Sequence, residues 1–138
     1  MRIWHKDLVE ILPSHQLVAQ WRECVLIAKE ICLKGTPNHI LVNKVINYPL
    51  EHLATYCNLV RWNMKKRGYD VNILAEEKLT DYLEMSLDSY VPMDILFDGW
   101  HNEKYLWQCL YNLEEKYDCG GITPDEWKLI DEFATYYL

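Results

Sequence analysis

Apolar residues recur three and four positions apart over most of this chain, the spacing of helices that bury one face. Leu17, Trp21, Cys24, Val25, Ala28 and Cys32 fall on one side of a predicted helix from Ser14 to Lys34. Ser14 can cap its start, and Gly35 stands where a helix stops. Leu50, Leu53, Cys57, Val60 and Met64 make a second stripe, on a long helix with Pro49 in its first turn and Gly68 closing it after Arg67. Ala75–Leu87 predicts a helix stopped before Pro92, and His101–Tyr117 another, closed by Gly120-Gly121. Thr123-Pro124-Asp125-Glu126 forms a capping box that opens a final helix reaching Tyr137. Lys6–Leu12 suits a brief helix or turn ended near Pro13, Thr36-Pro37-Asn38 a loop, and Ile40–Ile46 either state. Strand signals are scarce. The expected architecture is all-α, a single domain over residues 1–138 built as a helical bundle of about five helices.

Composition sharpens the class. With 138 residues, half of them apolar and including six Trp and ten Tyr, the chain has material for a core. No stretch is suited to export or long enough to span a bilayer, so no membrane partner is expected. Five cysteines without a Cys-x-x-Cys pair indicate a reducing cytoplasm, with Cys24 and Cys32 as core thiols. No His-Glu-x-x-His, paired-cysteine spacing or phosphate-cradling glycine loop is present, so neither a metal nor a cofactor is expected. The formal net charge of −7 argues against an ordinary nucleic-acid binder. It is unevenly spread: residues 1–70 carry ten Lys or Arg against six Asp or Glu, whereas residues 71–138 carry four against fifteen. A basic face could therefore coexist with an acidic one, although acidic surfaces also simply keep soluble proteins apart.

The polar side of the first long helix carries His15, Gln16, Ala19, Arg22 and Glu23. At offsets of three and four, Arg22 and Glu23 meet no opposite charge, so neither strengthens its own helix. A structural role requires an ion-pair partner elsewhere in the fold; a functional role requires a substrate. Ala19 leaves room above the backbone between the polar groups. Arg61 and Lys65 give the second long helix a basic edge, and Lys65-Lys66-Arg67 could touch phosphates or complement the helix dipole. His39 and His5 suit a site or a local hydrogen bond equally well. Tyr48, Trp62, Trp100 and Trp107 could stack on bases or fill the core.

The run His15-Gln16-Leu17-Val18-Ala19-Gln20-Trp21-Arg22-Glu23-Cys24 resembles the signature helix of the pyrimidine-dimer DNA glycosylases, the phage endonuclease V type. Met1-Arg2-Ile3-Trp4-His5 resembles the start of the bacterial branch of that family, and Asn38-His39 and Lys65-Lys66-Arg67-Gly68-Tyr69 fit the same pattern. The resemblance implies a DNA-repair glycosylase with AP-lyase activity on damaged duplex DNA, at pyrimidine dimers or abasic sites. In that family the α-amine of the first residue attacks C1′, the base leaves, a protonated Schiff base forms, and β-elimination cuts the strand. The implied catalytic set is Met1, Glu23 and Arg22, with Glu23 stabilising the cationic intermediate. Arg2, His15, Gln16, His39, Arg61, Lys65 and Lys66 are the implied DNA contacts, double-stranded DNA the partner, and a monomer the expected state. An α-amine, with a reference pKa of about 7.7–8.0, is a sensible Schiff-base nucleophile at neutral pH. The chain departs from the phage pattern in three places. Arg2 should block removal of Met1, making the Met1 amine the nucleophile. Leu26 replaces an arginine, and the order His15-Gln16 is reversed. A non-catalytic relative binding nucleic acid or a basic protein partner is the other reading open at this point.

Overall fold

In the computed structural model, which describes residues 1–137, the expected all-α bundle is present. Among the described residues there are five α-helices and no strand: α1 (Ser14–Lys34), α2 (Leu50–Lys66), α3 (Ile73–Leu83), α4 (Glu103–Asp118) and α5 (Pro124–Tyr137). Two 3-10 turns, Lys6–Ile11 and Asn43–Asn47, complete the helical content. Helix α1 packs on α2 and α3, α4 pairs with α5, and the first 3-10 turn lies against α2 and α5. Tyr117 and Trp127 stack nearly parallel, 4.9 Å between centroids, across the α4–α5 junction. Buried apolar residues from Ile3 to Ile130 form one contiguous cluster.

Most boundaries follow local chemistry. Gly35 closes α1 at φ 77°, a conformation that suits glycine. The Thr123/Glu126 capping box is formed as expected, with Glu126 N donating to Thr123 Oγ1 at 3.2 Å and Thr123 N to Glu126 Oε1 at 3.2 Å. Several expectations need correction. Ser14 lies inside α1 behind Pro13, and its N–H is capped by the Glu126 carboxylate at 2.8 Å. The third helix starts earlier and ends sooner than 75–87. Asn72 accepts from Leu74 N and Ala75 N at its start, and Glu84 adopts a left-handed conformation at its end. Asn102 caps α4, which shifts its start past His101. Cys32 is exposed rather than a core thiol, and Leu50 is exposed too. Ile31 beside Cys32 packs against the core and Leu53 in the first turn of α2 is buried, so each stripe closes on a neighbouring position and leaves Cys32 and Leu50 towards solvent.

No helix among the described residues is long and apolar enough to cross a membrane.

Candidate active site

Residues 1–5 run extended into the bundle, with Ile3, Trp4 and His5 buried. An extended segment without a neighbouring strand must find partners for its backbone groups among side chains. Three helices and the loop before α4 supply them. Gln20 of α1 accepts from Trp4 N at 2.8 Å and donates through Nε2 to Arg2 O at 3.0 Å. Tyr56 of α2 donates to Trp4 O at 2.7 Å and approaches Gln20 Oε1 at 2.9 Å, its one proton shared between them. Tyr105 of α4 donates to Ile3 O at 2.5 Å, and His101 Nδ1 accepts from Lys6 N at 3.0 Å. Lys6 is drawn inwards, its ammonium donating to Met93 O at 2.6 Å and Leu96 O at 2.7 Å.

Burial sets the titration of this scaffold. It lowers the Lys6 ammonium, and it holds the His101 imidazole down to about 2, with the His5 and Lys6 charges adding to the effect. Burial also pushes the Tyr56 and Tyr105 phenols well up, so both are fixed donors. The segment is therefore held by neutral, well-defined hydrogen-bonding groups.

The pinned terminus forms one wall of a cleft of about 310 Å³. Met1, Arg2 and Trp4 come from the N-terminal segment, His15, Gln16, Ala19 and Glu23 from α1, Leu41 from the following loop, and Asn112 and Lys116 from α4. Met1 is exposed and Glu23 half-buried. No ion pair joins them among the described residues, and both groups remain available to a third. Glu23 Oε2 accepts from Gln20 Nε2 at 3.3 Å. The same amide that holds Arg2 O thus holds the carboxylate, which fixes the terminus and Glu23 relative to each other. Gln16 Oε1 is buried without a partner, an acceptor lining the cleft that lacks a donor. Ala19 at i−4 from Glu23 contributes only a methyl group, and so keeps the approach to the carboxylate open.

Arg2 lies over Trp4 at 5.4 Å and over Tyr105 at 5.8 Å, and it donates to Cys109 Sγ at 3.6 Å. Its charge is held beside the cleft by aromatic faces rather than by a carboxylate. Arg22 is exposed on α1 and does not line the cleft. His39 sits in the loop, its Nδ1 accepting from Leu41 N at 3.3 Å.

The basic edge of α2 is wired internally. Arg61 faces Glu76 at 3.8 Å and Asp88 at 3.9 Å, and Lys65 faces Glu76 at 3.1 Å. Lys66 faces Glu10 at 3.7 Å and lies over Trp62. Arg67 donates to Leu12 O at 2.6 Å and Glu10 O at 2.8 Å, tying the end of α2 to the N-terminal segment. Of the expected residues, the fold thus brings together Met1, Arg2, His15, Gln16 and Glu23. Arg22, His39, Arg61, Lys65 and Lys66 stand outside the cleft. Trp100 is buried, whereas Trp62 is exposed.

Sequence reasoning missed Gln20, Asn112 and Lys116. Gln20 carried a faint signal, an amide one turn before Glu23 that is fully buried in the fold. On α4, Lys104, Gln108, Asn112 and Lys116 recur at intervals of four, a polar stripe that can be read from the sequence. The first two line an adjoining hollow of about 210 Å³ and the last two the cleft, with Leu41 common to both. The stripe extends about 18 Å, roughly five nucleotides of one DNA strand. It also holds two of the four lysines of the acidic half.

No group of three or more His, Cys, Asp or Glu side chains among the described residues is placed to hold a metal ion. A family model described as pyrimidine dimer DNA glycosylase matches residues 1–77. No curated protein and no solved structure matches the chain.

Proposed function

The chain belongs to the pyrimidine dimer DNA glycosylase family, and from that premise we propose that it excises damaged bases from duplex DNA and cleaves the strand through a Schiff base on the Met1 amine. The observation that carries this reading is the shared cleft of Met1 and Glu23, coupled through one glutamine.

The amine attacks C1′ of the damaged nucleotide, the glycosidic bond breaks, and the base departs with its electron pair and a proton. The sugar-ring C1′–O4′ bond then opens, O4′ takes a proton and becomes a hydroxyl, and C1′ is left in an iminium whose positive charge the Glu23 carboxylate stabilises. Removal of a C2′ proton then expels the 3′ phosphate by β-elimination, and water releases the amine from the product. Glu23 takes that proton. Gln16 uses its free acceptor to receive a donor from the extrahelical nucleotide. His15, Asn112, Lys116 and Lys104 follow the strand, with Arg2 and the exposed Arg22 adding positive charge near the reacting centre. Arg61 and Lys65 hold α3 through Glu76 instead of contacting DNA. Family membership makes DNA the partner; the lyase step and these residue roles are the proposal.

Borohydride trapping tests it. Duplex DNA with a pyrimidine dimer or an abasic site, incubated with the protein and reductant, should give a covalent adduct that peptide mapping places on Met1. The intact mass checks that Met1 is the terminus of the purified protein. Acetylating the terminus should abolish the adduct, and Glu23→Gln should abolish turnover. Strand cleavage that survives both changes would refute the mechanism. Tight binding without adduct or cleavage would leave a DNA-binding relative that does no chemistry.

A further inference from the structure

A groove of about 540 Å³ opens between the first 3-10 turn, α2 and the end of α5, and it shares no lining residue with the Met1–Glu23 cleft. Trp62 of α2 and Tyr137 of α5 line it and are both exposed. Phe133, one turn before Tyr137, also lines it and lies 4.5 Å from the Tyr137 ring, centroid to centroid. Two helices thus leave aromatic faces in water around one hollow, which suits a flat ring.

Two polar groups in the lining are buried and incompletely paired. Lys6 is 8% exposed; its ammonium carries three protons and gives two of them to Met93 O and Leu96 O. It meets no carboxylate at ion-pair distance among the described residues, so one N–H is left over. Asn63 is 3% exposed, and its Nδ2 donates to Leu59 O at 2.9 Å while its Oδ1 accepts from no group among the described residues. The hollow therefore offers a spare donor and a spare acceptor beside aromatic faces. A nucleobase has the matching chemistry, an N–H and an acceptor on adjacent atoms of its edge and a face that stacks. The rim bears on charge. Asp7 and Glu10 stand there, with Lys66 facing Glu10 at 3.7 Å, so two lysines meet two carboxylates and no surplus positive charge awaits a phosphate. We propose that this groove binds an uncharged nucleoside, its base stacked on the Trp62, Phe133 and Tyr137 faces and its edge bonded to Lys6 Nζ and Asn63 Oδ1. The rim carboxylates accept from the sugar hydroxyls. Binding here needs no chemistry at Met1, so its failure would leave the repair reading untouched.

Uridine is the probe, titrated into the isotope-labelled full chain and followed by NMR. The Trp62 indole N–H resonance, assigned by its loss in Trp62→Ala, should shift and saturate with a dissociation constant below about 1 mM. In 3-methyluridine a methyl group replaces the ring N–H, which leaves Asn63 Oδ1 without a donor, and binding should weaken about tenfold or more. Trp62→Ala changes an exposed side chain, so its urea midpoint should match the parent, and uridine followed at the Asn63 resonances should bind at least about fivefold more weakly. Absence of a saturable shift up to about 10 mM uridine overturns the site, as does equal affinity for 3-methyluridine. Shifts confined to Glu23 and Lys116 overturn it by placing the nucleoside in the cleft. Uridine 5′-phosphate or a thymidine tetranucleotide binding at Trp62 more than about tenfold tighter than uridine also overturns it, by showing that phosphate is read.

Discussion

Gln20→Met separates positioning from plain stability. The substitution nearly conserves volume, so the cavity contribution is small. It removes the acceptor of Trp4 N and the donor to Arg2 O, while Tyr56 keeps its bond to Trp4 O. A buried backbone group left unpaired costs about 1–3 kcal/mol. Trp4 is buried and Arg2 only half-buried, so water can reach the second group and the sum falls near 3 kcal/mol. That is a large fraction of the about 5–15 kcal/mol that holds a typical domain, yet a protein of this size can retain its fold. The effect on chemistry should be greater than stability alone would give, because the same amide bonds Glu23 Oε2. Misplacement of a reacting group by about 1 Å can lower a rate by about 100-fold. Leu83→Ala, in α3, supplies the control: a buried truncation expected to cost about 2–5 kcal/mol, at a residue with no hydrogen bond to the N-terminal segment. Urea unfolding measures both stabilities, and single-turnover cleavage of abasic duplex is corrected for the folded fraction. Gln20→Met should lose about 100-fold per folded molecule and Leu83→Ala less than about threefold. If the two variants keep the same corrected rate, Gln20 supports the fold without positioning the site.

Acid should destabilise the fold early. His101 is held down to about 2, whereas in the unfolded chain it binds a proton below about 6.5; the unfolded state therefore takes up protons first, and stability falls as pH drops. Between pH 7 and 5 this one group removes about 2 kcal/mol, and His5 and His52, also lowered by burial, act in the same direction. Urea midpoints that stay level over that range would contradict the burial argument. Lys116→Ala should weaken DNA binding and reduce the slope of log affinity against log salt by about 1, whereas Lys65→Ala, already paired with Glu76, should leave the slope unchanged. Anisotropy titrations at several salt concentrations read both. A thiol reagent should modify Cys32 and Cys119 quickly, and Cys24, Cys57 and Cys109 only on unfolding. A hydrogen bond with the Cys57 thiol, with burial, pushes the Cys24 thiol up, and burial does the same for Cys109. Absorbance of the released reagent group, with and without denaturant, counts the two classes.

Helices with a clear apolar stripe and a local stop were legible because both signals come from neighbours in sequence. The stripe on α1 and the Thr123/Glu126 box needed no knowledge of the rest of the chain. At Cys32 and Leu50 periodicity misled, since burial depends on what lies opposite each side chain. Lys65-Lys66-Arg67 likewise reads as a cluster for phosphates or for the helix dipole, and only the tertiary structure shows these groups facing Glu76, Glu10 and the carbonyls of residues 10 and 12.

By itself, the sequence determined that this is an all-helical chain with an unpaired glutamate on the polar face of its first long helix, and it carried the marks of the family. Only the tertiary structure decided that the first five residues thread between α1, α2 and α4, and that Gln20 ties them to Glu23. It also decided that the polar stripe of α4 completes the cleft. The physical reason is range: helix-forming and capping signals act within about four residues, whereas Tyr105 and Ile3 are 102 positions apart and meet only when the core has closed.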